Sequence, residues 1–220
     1  MLVDDRRLIL WQAVFITSLL TANVVAAKVV LLFNRLVVPA AVVAYAITFL
    51  STDIINELYG KEKANEIVKI GFIAQVLAAM LIYLASLLPV APFMPEMQES
   101  FLMVLGQNWR FVFASLAAYL VSQTHDVYSF NYWRNRTGGK HKWLRNNGST
   151  LVSQILDTAI FITIAFWGQV PNLWQMIVSQ YIVKACLALL DTPLFYYFTK
   201  GNRGRIESYG NGRLWHDQQS

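Results

Sequence analysis

The sequence predicts an all-α integral membrane protein of six transmembrane helices with both termini in the cytoplasm. Three observations carry that prediction. The 220 residues are 56% hydrophobic and only 14% charged, a balance unsuited to a soluble domain. Six predominantly apolar runs each exceed the roughly 20 residues needed to cross about 30 Å of hydrocarbon. Lys and Arg gather at alternate ends of those runs, as the positive-inside rule requires.

The runs cover about residues 8–32, 36–59, 64–88, 109–132, 145–167 and 174–198. The first is too long for a signal-peptide core and has no small-residue cleavage site, so it reads as a retained helix. Arg6 and Arg7 precede the first span, and Lys61, Lys63 and Lys69 flank the second turn. Arg134, Arg136, Lys140, Lys142 and Arg145 lie between the fourth and fifth, and Lys200, Arg203, Arg205 and Arg213 follow the sixth. That places 14 of the 18 basic residues on one side and sets the orientation. The formal charge of +5 therefore reports topology and contact with anionic lipid rather than nucleic-acid binding.

Short connections after the first, second and fifth spans make those helix pairs antiparallel neighbours. On the outer side Pro89, Pro92 and Pro95 resist helix, and Glu96 to Leu105 then reads as a short amphipathic helix, either a lid or a plain surface loop. On the inner side Gly138 and Gly139 break the basic loop. Residues 1–199 form one six-helix transmembrane domain, and 200–220 a polar, poorly ordered tail. Trp11, Trp109, Trp133, Trp143, Trp167 and Trp174 fall near span ends as interfacial anchors. The single Cys186 excludes an internal disulfide and reads as packing. No P-loop, dinucleotide fingerprint or His-Glu-x-x-His pattern is present, so no cofactor or metal is expected and nothing here hydrolyses ATP.

Function is signalled by ionisable residues at membrane depth, which are costly unless they face protein, water or a ligand. Asp53, Asn56, Glu57 and Gly60 follow i, i+3, i+4, i+7 spacing in the second span. Ser122, Asp126 and Ser129 share a side of the fourth, with Gln123 and His125 nearby. Asn146, Thr150, Ser153 and Asp157 form a stripe in the fifth, broadened by Gln154 and Thr158; Gln180, Lys184 and Asp191 do so in the sixth. The alternating topology puts Asp53, Asp126 and Asp191 roughly 8 to 9 Å below the midplane, and Asp157 and Lys184 close to it. Lys184 can pair with Asp157, but the carboxylates outnumber it and call for water, protons or a donor-rich ligand. His125 reads as an inter-helix contact before a proton relay. These residue types admit a flat heterocycle bearing N–H donors, stacked by aromatics such as Tyr45, and equally other polar solutes.

The motifs AN…AK (Ala22, Asn23, Ala27, Lys28), TDIINELYG, DVYSF, RNN…STLVSQILDT and K…DTP run through nearly all six spans. In these the chain resembles the queuosine precursor transporters, also called putative vitamin uptake transporters. The resemblance implies a likeness to the six-helix substrate-binding subunits of vitamin transporters, and import of 7-deazaguanine precursors of the tRNA nucleoside queuosine. The family's polar positions fall on Thr52, Asp53, Asp126, Thr150, Asp157, Thr158 and Lys184. For a deazapurine, Asp53 and Glu57, with Asn56 beside them, would hold donor edges or an amine. Asp157 and Lys184 would form the midplane pair, and Gln123, Asn147 and Gln154 would complete the hydrogen bonds. The expected setting is the cell (inner) membrane; a homodimer is a reasonable assembly for a small six-helix unit, and the driving force is left open between a proton, which the buried aspartates would suit, a sodium ion and the substrate gradient. Two other classes compete: a binding subunit served by a separate ATPase complex, and a membrane enzyme using His125 and Asp126 as acid and base.

Overall fold

A computed structural model describes the backbone of residues 2–136 and 142–199. Its side chains are described except for 2–5, 123, 126–136, 142–151, 188–192, 194–196 and 199. Seven helices and one small hairpin appear there: α1 (Leu2–Val25), β1 (Val29–Leu32), β2 (Leu36–Pro39), α2 (Val42–Tyr59), α3 (Lys61–Ser86), α4 (Glu96–Leu105), α5 (Asn108–Arg136), α6 (Lys142–Phe166) and α7 (Leu173–Thr199). Six of the helices are long, matching the six apolar runs in order.

The largest departure from the sequence expectation lies between the first two runs. A first span to about residue 32 and a second from about 36 both give way to an antiparallel hairpin, with Val29 opposite Pro39 and Leu32 opposite Leu36. Its strands, VVLL and LVVP, are rich in residues that favour strands. Phe33 and Asn34 close it with positive φ of 51° and 55°. Asparagine takes that region readily and a phenylalanine does not, so the turn is held by its flanking strands. Pro39 brings no N–H, and α2 begins only at Val42. Val38, Val42 and Val183 pack together and anchor the hairpin end of α2 to α7.

Gly60, at φ 87°, joins α2 to α3 with no further linker, a conformation a side chain would strain. The short helix after the prolines forms with the bounds the sequence suggests, Glu96–Leu105, and buries none of its residues. Arg110 of α5 ties off the end of α6, donating from Nε to Ile164 O and from Nη2 to Trp167 O, each at 2.7 Å. Those carbonyls belong to the last turn and its exit, where no intrahelical donor remains. Cys186 is exposed rather than packed.

Packing brings α1 against α2 and α3, α2 against α7, α6 against α5 and α7, and α3 against α5. The outward surface is apolar: Ile73, Val76, Leu77, Met80, Leu81, Tyr83 and Leu84 of α3 are all exposed. A contiguous face of that kind fits lipid rather than water. The stretches Arg6–Val25, Lys61–Ser86 and Glu96–Ser122 are long and apolar enough to cross a membrane, and Val152–Phe166 is a shorter apolar one.

At the α1–α3 contact a Cβ on Gly71 would stand 2.7 Å from Phe15 Cε1 and 2.8 Å from Leu19 Cδ2. Gly71→Val should therefore destabilise the protein by about 1–3 kcal/mol through overpacking. Thermal unfolding in detergent checks this; an unchanged midpoint would show that both side chains swing aside.

Candidate functional site

A cavity of about 620 Å³ opens among the six long helices. Each contributes to its wall: Phe15 and Leu19 from α1, Tyr45 to Asn56 on one face of α2, and Lys61 to Phe72 on one face of α3. Ser115, Ala118, Tyr119 and Ser122 come from α5, Ser153, Gln154, Asp157 and Phe161 from α6, and Gln180 and Lys184 from α7. The size suits a drug-sized or bicyclic ligand.

One end is closed. Ala22, Ala26, Ala41, Phe111, Ala114, Ile162, Ala165, Phe166 and Met176 form a buried apolar cluster with Ala118 and Phe161 of the cavity wall, and the nine named first lie beyond the cavity-lining residues along α1, α2, α5, α6 and α7, all in one direction. Phe111 and Phe166 meet there with ring centres 5.6 Å apart. Toward the opposite end Asp53, Asn56, Lys61, Asn65 and Gln154 line the same cavity and are exposed. The site is thus a blind pocket, sealed by packing at one end and wet at the other.

At its middle Lys184 Nζ donates to Asp157 Oδ2 at 3.0 Å and to Thr158 Oγ1 at 3.1 Å. The ammonium side chain is 15% exposed and the carboxylate 31%. Thr158 Oγ1 also donates to Gln154 O at 2.8 Å, so its hydroxyl hydrogen is committed and a lone pair is left for the lysine. An ammonium has three protons; two are used here, and no bond among the described residues takes the third or Asp157 Oδ1. Hydroxyls on α2 are satisfied locally in the same fashion, Thr48 to Tyr45 O at 2.7 Å, Ser51 to Ile47 O at 2.7 Å and Thr52 to Phe49 O at 2.8 Å. Such back-bonding lets a polar residue face an apolar interior without an orphaned donor.

Of the residues singled out from sequence, Asp53, Asn56, Gln154, Asp157 and Lys184 all line the cavity, with Thr158 bonded to the lysine behind it. Glu57 is exposed and outside the lining, because the cavity face of α2 runs through Tyr45, Phe49, Thr52 and Asn56, and Glu57 falls past its edge. The side chains of Gln123, Asp126, Asn147, Thr150 and Asp191 lie outside the described residues. His125 Nδ1 lies 3.2 Å from Ser153 Oγ, an α5–α6 contact in keeping with the inter-helix reading. Lys61 and Asn65 were not anticipated in the site. Lys61 reads as a topology-setting loop charge, yet α3 starts at Lys61 itself, and the spacing Lys61, Asn65, Val68, Phe72 is a helical face that was open to detection.

Residues 39–198 match the putative vitamin uptake transporter family. A curated relative from Bacillus subtilis (strain 168), described as "Probable queuosine precursor transporter", is 34% identical over 179 residues, covering 80% of this chain and 77% of that protein. No solved structure matches. Both descriptions are of transporters rather than enzymes. A cavity with both polar and apolar walls inside an apolar helical shell is what a multi-pass carrier of small solutes needs, and the chain belongs to the putative vitamin uptake transporter family.

Proposed function

We propose that this protein imports 7-deazaguanine precursors of queuosine, the cyano or aminomethyl base or queuine, across the cell (inner) membrane. The relative's description supports the ligand class. The observation that carries the reading is the Asp157–Lys184 pair in the cavity wall, with Thr158 bonded to the lysine behind it. A carboxylate oxygen beside an ammonium proton matches the adjacent N–H and C=O of a lactam ring, accepting from one and donating to the other. Asp53, Asn56 and Gln154 nearer the open end suit the amine or other substituent on the five-membered ring.

Six membrane spans with both termini cytoplasmic give the open end a cytoplasmic aspect, since Lys61 and Lys63 lie at it. Alternating exposure of the cavity then delivers the ligand inward. The test feeds each precursor to cells unable to make it, with and without this chain, and measures queuosine in tRNA. Rescue at low precursor concentration is expected; no rescue by any precursor rejects the reading. Uptake by the purified chain in liposomes separates a self-sufficient carrier from a binding subunit that needs an ATPase partner.

A further inference from the structure

Among the aromatic side chains of the cavity wall, Phe49 of α2 stands apart. Phe15 and Phe161 are 5% and 7% exposed, and Tyr45, Phe72 and Tyr119 are half-buried, whereas Phe49 is 41% exposed. Four of the other rings are also paired, Tyr45 with Phe161 and Phe72 with Tyr119, the latter with ring centres 4.6 Å apart. Phe49 has no ring contact among the described residues. Its exposure is inward. Val43 and Ile47, exposed and absent from the lining, mark the outward side of α2. Phe49 lies about 200° round the helix from Ile47, on the face shared by the lining residues Tyr45, Thr52 and Asn56. Its level follows from the edge-on contact of Tyr45 with Phe161, ring centres 6.1 Å apart. One turn from that contact toward the open end, α2 presents Phe49 and the oppositely running α6 presents Asp157. Phe49 therefore stands in the tier of the Asp157–Lys184 pair.

A large apolar surface left against water is unfavourable, and the fold covers the other rings of the cavity but not this one. A bicyclic heterocycle has two flat faces and a polar rim, and stacking on an aromatic side chain fixes its plane while leaving the rim free for hydrogen bonds. Plane and rim are served here in one tier, the plane by the Phe49 ring and the rim by the Asp157 carboxylate and the Lys184 ammonium. We infer that Phe49 is the stacking residue of this carrier, holding one face of a flat heterocycle whose N–H and C=O edge meets Asp157 and Lys184. This rests on the reading of the site as a deazaguanine carrier and deepens it, since the charged pair recognises an edge and Phe49 demands that the edge belong to a planar ring.

The test is ligand binding to the full chain in nanodiscs, with 7-cyano-7-deazaguanine and a panel of other planar lactams as probes, and thermal unfolding of each variant without ligand. Phe49→Leu keeps an apolar side chain and removes the flat face. It should weaken the deazaguanine about 10- to 100-fold, the range for loss of one base–aromatic stack. Phe49→Tyr keeps the flat face and should bind within about 3-fold of wild type. Because the ring is open and unpaired, the unliganded unfolding midpoints of wild type and both variants should coincide. Phe49→Leu that unfolds several degrees earlier, or does not fold, makes Phe49 a core side chain and overturns the assignment. Wild-type affinity in Phe49→Leu, or equal weakening in Phe49→Tyr, overturns the stacking role while leaving the deazaguanine reading intact. Binding of some other lactam but not the deazaguanine overturns the transport reading, and the variants then decide the role of Phe49 on that ligand. No binding by any lactam overturns both.

Discussion

Asp157→Ala is expected to abolish uptake of the deazaguanine precursor, by more than about 100-fold, while the chain still inserts in the membrane. The substitution removes the acceptor facing the ligand's N–H and strands the ammonium of Lys184, which is 15% exposed. Unpairing a buried charge of this sort costs about 3–5 kcal/mol, so stability and transport both fall, and the two effects need separating. Asp157→Asn does so. Its amide oxygen still accepts from Lys184 and its volume is unchanged, but its other arm now donates where a carboxylate oxygen accepted. Transport should remain lost while the unfolding midpoint recovers most of the way toward wild type. The measurement is radiolabelled precursor uptake normalised to membrane-resident protein; near-normal uptake by Asp157→Asn would remove the carboxylate from ligand recognition.

The membrane class, the long helices and the polar interior were legible because each follows from local spacing. Pro95 and Gly106 bracket Glu96–Leu105, so that helix could be read to the residue. The hairpin was not legible by hydropathy, since VVLL and LVVP are as apolar as the spans beside them. Its strand-forming composition and the Phe33–Asn34–Arg35 turn were the available signals, and they are weaker than a continuous apolar run. Within the site, helical period put Asp157 with Gln154 and Lys184 with Gln180 but gave no register between helices. Only packing brings Lys184 Nζ onto Asp157 rather than onto another carboxylate. Glu57 fell off the face for the same reason. One helix's pattern fixes which residues share a stripe, and only its neighbours fix where the stripe's edge lies.

A sealed end beside a wet end also explains why the charge pair sits where it does. Between Phe161 and Gln180 on one side and the exposed Asp53 and Asn56 on the other, Asp157 and Lys184 occupy the boundary where water access falls away. A pair there is held by its own attraction and yet within reach of an incoming ligand. Placed among the apolar cluster it would pay full desolvation; placed among the exposed residues it would be screened.

The clearest separation of structural from functional worth comes from Lys184. Lys184→Met alone should destabilise the protein by about 1–3 kcal/mol, less than for a fully buried pair because the Asp157 carboxylate left without its cation is 31% exposed. The double variant Lys184→Met with Asp157→Leu removes both charges and fills similar volume, and pairs replaced in this way are often neutral or stabilising. Its unfolding midpoint should return to wild type or above. Thr158 loses only one contact, since its hydroxyl stays bonded to Gln154 O. Uptake, however, should stay at background in the double variant, as neither the acceptor nor the ammonium remains to hold a lactam edge. Recovered stability with absent transport assigns the pair to the ligand; recovery of both would make it a helix tie that the cavity merely exposes.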